Sequence, residues 1–116
     1  MNEYVEKWLY DILFAIEEIE SFFENTEKLF ASFEHNIMLK RAIERNLEII
    51  GEAINRILTR EPEIEISNAR KIVNLRNLII HSYDNISDEN IWAIVINNLP
   101  ALKKEIKKLL DSIENK

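Results

Sequence analysis

Arg76, Asn77, His81 and Tyr83 stand within one eight-residue stretch, RNLIIHSY at 76–83. These side-chain types suit phosphoryl transfer without a metal. Histidine, with an unperturbed pKa of about 6.5, both takes and gives a proton around neutrality. Arginine presents a fixed fork of donors to a phosphate and keeps its charge as negative charge builds in the transition state. RNA carries its own nucleophile, the 2′-hydroxyl, so a base, an acid and a cation suffice to cleave it. DNA lacks that hydroxyl and falls outside this chemistry. A metal-dependent nuclease would need several convergent carboxylates or histidines, and neither a His-x-x-x-His pair nor a tight aspartate cluster occurs in the chain. The plainer alternative is a structural histidine at a helix end.

Helical geometry decides which of these groups can meet. Asn77 and His81 are four residues apart and so are neighbours on one helix face. Arg76 and Tyr83, seven apart, share a face if the helix continues. Arg76 and His81, five apart, are separated by about 140° around the axis, so only the long guanidinium stem can bring them together. Leu78 and Ile79 would face the core and hold the polar groups on a packed element.

The rest of the chain supplies a helical scaffold for them. One glycine and two prolines in 116 residues leave too little turn material for an all-β fold. The length suits a single domain over 1–116 with a real core. Apolar positions from Val5 through Ile12, Ile16 and Ile19 to Phe23 recur at helical spacing and predict a helix over 2–24. A short turn carrying Leu29, Phe30 and Phe33 follows, then a long helix near 36–59. Gly51 lies inside that helix, where it costs roughly 1 kcal/mol against alanine; a close helix-to-helix approach would explain it. Ser67 is placed to cap a third helix over 68–82, and Ser87, followed by Asp88 and Glu89, to start a fourth. Pro100 predicts a break or kink near Asn98 before a last helix through Leu102, Ile106 and Leu110. The expectation is an all-α, antiparallel bundle of four long helices, the last broken near Pro100.

No apolar run approaches a membrane span of roughly 18 residues, the N-terminus is acidic and unlike a signal peptide, and cysteine is absent. A cytoplasmic protein with no membrane association and no thiolate metal site is expected. The net charge of −6 is unevenly spread: −7 over residues 1–35, +2 over 36–83 and −1 over 84–116. The segment containing the motif is therefore the only one with a positive balance, which permits a local phosphate-binding surface. Glu44, Glu48 and Glu52 alternate with Arg41, Arg45 and Arg56 along the long helix; ion pairing is the default reading, and Arg41, Arg45 and Glu52 are candidates for lining a cleft. His35 reads as a surface or capping residue. Trp8 and Trp92 read as core or interface aromatics.

RNLIIHSY resembles the R-x4-H-x-Y signature of the HEPN superfamily, specifically that of its HepT-like members. RAIERNLEIIGEAINRI at 41–57 resembles that family's second long helix, and NLPALKKEI at 98–106 its final segment. The resemblance implies an all-α homodimer that acts as a metal-independent endoribonuclease toxin, needs no cofactor, and joins the motifs of two subunits in one cleft. It implies that Arg76 stabilises the phosphate, His81 carries the proton and Asn77 orients the site. It implies that Tyr83 receives AMP from a partner nucleotidyltransferase antitoxin, the added negative charge then competing with RNA for Arg76. The alternative from another class is a non-catalytic helical dimer that binds such a nucleotidyltransferase or a nucleotide.

Overall fold

A computed structural model describes residues 3–81 and 87–115. Tyr83 lies outside the described residues, as do residues 82–86 around it. Within them the protein is all-helical, with no strand. The helices are α1 (Glu3–Ser21), α2 (Phe30–Glu34), α3 (Ile37–Arg60), α4 (Ala69–His81), α5 (Asp88–Ala93) and α6 (Leu99–Glu114), with a π-helical segment at Ile94–Asn98 between the last two. Among the described residues no helix is long and apolar enough to cross a membrane.

Capping residues set several of the starts. The Asn36 side chain accepts from the Leu39 amide at 3.0 Å to open α3, and Ser87 Oγ accepts from the Asn90 amide at 3.0 Å to open α5. The expected Ser67 cap is not formed. The Ser67 amide instead donates to the Glu105 carboxylate of α6, at 3.1 Å to its nearer oxygen. Asn68 precedes α4 with φ 60, a left-handed conformation that asparagine tolerates better than most residues.

The predicted break before the last helix takes another form. Asn98 and Leu99 keep right-handed helical angles, and the Leu99 amide reaches back to the Ile94 carbonyl, a bond spanning five residues. Pro100 has no N–H for the carbonyl four residues earlier, and its ring would crowd that carbonyl in a regular helix. A widened turn relieves the crowding without ending the helix.

The strong packings between long helices run in series, α6 on α1, α1 on α3 and α3 on α4. Tyr10 meets Glu114 while Glu20 meets Lys103, so α1 and α6 run antiparallel. Arg60 lies over the Tyr4 ring at 4.8 Å while Asn46 reaches Glu18, so α1 and α3 do as well. One continuous apolar cluster fills the interior, with Leu9, Ile12, Ile16, Ile43, Leu47, Ile50, Ile54 and Ile106 almost wholly buried. Trp92 stacks on Phe33 at 5.3 Å and meets Phe23 at 5.8 Å, closing the end of that core beside α2.

Candidate active site

Gly51 determines where Arg76 can be. A Cβ built on Gly51 would stand 2.4 Å from the Arg76 Cβ and 2.9 Å from its Cγ. Neither atom is the free end of a flexible chain, so any larger residue would push α4 off α3. The one glycine thus sits where the two helices touch, and the root of the Arg76 side chain fills the place of the missing Cβ.

From that root the guanidinium spans two partners. One terminal nitrogen donates to the Glu52 carboxylate on α3, and the other donates to Asn77 Oδ1 at 2.8 Å. Nε is buried with no hydrogen-bond partner among the described residues. Only 23% of the side chain is exposed, so the fork is held in place, with a carboxylate on one side and an amide on the other. Glu52 is itself shared, since its second oxygen accepts from Arg56 Nε at 3.0 Å.

Arg76 and Glu52 line a cleft of about 320 Å³ where α1, α3 and α4 meet. Arg45 and Glu48 of α3, paired at 3.2 Å, form part of its wall. Across from them α1 contributes Asp11, which is bound to Lys7 at 2.9 Å, and Trp8, over which Arg60 lies at 5.8 Å. Each arginine of the cleft has a carboxylate partner, so the cleft holds matched charge. An entering phosphate would have to displace Glu52 from Arg76.

The sequence-derived candidates are therefore divided. Arg76, Arg45 and Glu52 come together in this cleft, while Arg41 is not among its lining residues and pairs with the buried Glu44 at 2.7 Å. His81 closes α4, is exposed and does not line the cleft, lying about 140° around the helix from Arg76. Asn77, also exposed, links the two sides because it accepts from Arg76 and lies one turn before His81. His35 is an exposed residue at the C-terminus of α2, 3.5 Å from Glu34. Among the described residues no three His, Cys, Asp or Glu side chains are grouped to hold a metal ion. Sequence reasoning missed Asp11 and gave Trp8 no place at a site. Their only signal is their location on the edge of the α1 apolar stripe, and it acquires meaning once α1 is known to pack on α3.

The HepT-like family, described as Ribonuclease HepT-like, matches residues 12–109. A protein named as a putative RNase in Methanocaldococcus jannaschii is 31% identical over 116 residues, covering 97% of this chain and 92% of the relative. Another of that name in the same organism is 34% identical over 105 residues, covering 89% and 94%. A probable ribonuclease HepT from Thermococcus cleftensis is 35% identical over 106 residues, covering 88% and 92%. No solved structure matches the chain. With a match that runs from α1 into α6 and takes in the whole RNLIIHSY stretch, the chain belongs to the HepT-like ribonuclease family.

Proposed function

We propose that the protein is a metal-independent endoribonuclease toxin, acting as a homodimer and held in check by a nucleotidyltransferase antitoxin. His81 takes the proton from the attacking 2′-hydroxyl as the new O–P bond forms and gives a proton to the leaving 5′-oxygen as its P–O bond breaks. Arg76 stabilises the charge that builds on the phosphate, and Asn77 fixes the guanidinium from the side nearer His81. AMP on Tyr83 would place a phosphate beside this motif and compete with RNA for Arg76.

The observation that carries this reading is the Glu52–Arg76–Asn77 chain of contacts, which holds a partly buried cation with an exposed histidine one turn beyond it, in a HepT-like protein. His81 and Arg76 leave α4 on different sides, which fits a cleft shared between two copies, one supplying what the other lacks. The second reading is a helical dimer that binds a nucleotidyltransferase or a nucleotide without catalysis; the pairing of every cleft arginine with a carboxylate favours its protein-binding form, since a phosphate would have to displace those carboxylates.

Cleavage separates the two readings. Protein expressed without a partner, and shown by mass spectrometry to carry no AMP, is incubated with total RNA in EDTA. The expected result is RNA fragments ending in 2′,3′-cyclic phosphate, with His81→Ala at least a hundredfold slower, as removal of a general acid–base typically costs. A wild-type protein that leaves RNA intact under these conditions would transfer the case to the binding module.

A further inference from the structure

The outer face of α4 carries a line of exposed polar residues that do not line the cleft. At 100° per residue, Arg70, Asn74, Asn77 and His81 fall within about 60° of one another around the helix. All four are exposed. From Arg70 to His81 the line runs about 16 Å at 1.5 Å per residue, enough to leave more than one nucleotide between its ends.

Beside the first half of this line lies a groove of about 510 Å³ between α4 and the start of the last helical stretch. Arg70, Lys71 and Asn74 form its rim on α4, Asn90 faces them from α5, and Leu75 and Ile94 form its floor. Leu78, also in the groove, is 42% exposed despite its size. Among the described residues the side chains of Arg70 and Lys71 have no ion-pair or hydrogen-bond partner. In this they differ from Arg45, Arg56 and Arg76, each of which has a carboxylate. They also occupy the first turn of α4, which contains no acidic residue and where the helix dipole disfavours cations. Two unneutralised cations at the mouth of an apolar-floored groove, continuous with the face that bears His81, complement a single nucleic-acid strand. The cations suit its phosphates, and the floor suits the face of an unstacked base.

We propose that this groove is the track for the single-stranded RNA flanking the scissile phosphate, with Arg70 and Lys71 binding backbone phosphates and the Leu75–Ile94 floor receiving a base. The inference rests on the ribonuclease reading, but its test does not require cleavage. The probe is a fluorescent single strand of about 12 nucleotides made wholly of 2′-O-methyl RNA, which cannot react by 2′-hydroxyl attack. Its affinity is measured by anisotropy across a salt series for wild type, Arg70→Ala/Lys71→Ala, and Lys104→Ala/Lys107→Ala, which removes the same charge from α6.

The groove variant should bind about tenfold more weakly, and its log–log salt slope should fall by about 1.4, the value for two lost phosphate contacts on a single strand. The α6 variant should retain the wild-type slope. Equal losses in both variants, or no loss in either, overturn the track. So does a groove variant that keeps RNA affinity but no longer binds a nucleotidyltransferase, because the groove would then be a protein-docking surface. Wild-type protein that cuts RNA through His81 while the groove variant has an unchanged KM would leave the ribonuclease reading standing and the track refuted. Groove-dependent binding in a protein that never cuts RNA would do the reverse.

Discussion

The α1–α6 seam and the α3–α4 seam are built on opposite principles. Where α1 meets α6, apolar residues such as Leu102, Ile106 and Leu110 fill the contact, and the polar pairs stand at its edges. Tyr10 holds Glu114 near one end, and Lys103 holds Glu20 at 2.8 Å near the other. Where α3 meets α4, the contact closes on a glycine and the stem of an arginine, and the charge lies inside. Rim ion pairs cost little and contribute little. A partly buried cation with one nitrogen unpaired among the described residues is a poor way to gain stability, since well-packed apolar side chains would do as well or better. The first seam holds the molecule together, and the second keeps a cation in position.

Gly51→Ala would break that comparison most severely if it did nothing. Its Cβ cannot coexist with the Arg76 Cβ, so an overpacking cost of about 2 kcal/mol should exceed the roughly 1 kcal/mol that alanine adds through helix propensity. Urea unfolding should show a net loss, and RNA cleavage should fall with it because Arg76 must move. A variant as stable as wild type would mean that the helices are free to part there.

Glu52→Gln should have a smaller effect of mixed sign. The amide can still accept from Arg76 but no longer offsets its charge, so stability should drop by about 1 kcal/mol or less, given that a third of Glu52 is exposed. RNA affinity should rise several-fold, since a phosphate no longer has to displace a carboxylate. A weaker RNA complex would instead place Glu52 among the groups that support binding.

The smallest effect belongs to the α1–α6 rim. Its hydrogen bond to Glu114 raises the Tyr10 hydroxyl above its ordinary 10.0, and the one to Glu20 raises Lys103 above 10.5. Both folded values exceed the unfolded ones, so the contribution is complete below pH about 10 and is lost as pH climbs through the folded values. Thermal midpoints should therefore show no step from these groups near neutrality and a slight decline in alkali. Tyr10→Phe/Lys103→Met should flatten that decline while changing the neutral midpoint by no more than about a degree or two. A large neutral shift would contradict the division between the seams.

Much of this was legible in the chain itself, for reasons that can be named. Strong apolar periodicity marked α1, α3 and α4, because a helix that buries one face must repeat every three to four residues. Gly51 stood out because a lone glycine in a helix interior is costly unless something needs its space. The division between Arg76 and His81 followed from five residues at 100° each. Other features depend on tertiary packing and left no local trace. Ser67 had the right chemistry for a cap, but Glu105 of α6 took its amide. Asp11 and Trp8 reach the cleft only because α1 lies antiparallel along α3. Pro100 signalled trouble in the helix but could not say whether the chain would stop or widen.

The widened turn has a consequence for how this fold tolerates insertion and deletion. A single turn with one extra residue sets everything after it back by about 100° relative to an unbroken α-helix of the same sequence. The stripe of Leu102, Ile106 and Leu110 therefore meets α1 in a phase that α5 alone would not have given it. Deleting one residue from Ile94–Asn98 would close the widened turn into a regular one and leave the apolar stripe of α6 facing α1, whereas adding one residue there, or deleting two, would swing the stripe by about 100°. For this helix, the count of residues matters as much as their kind.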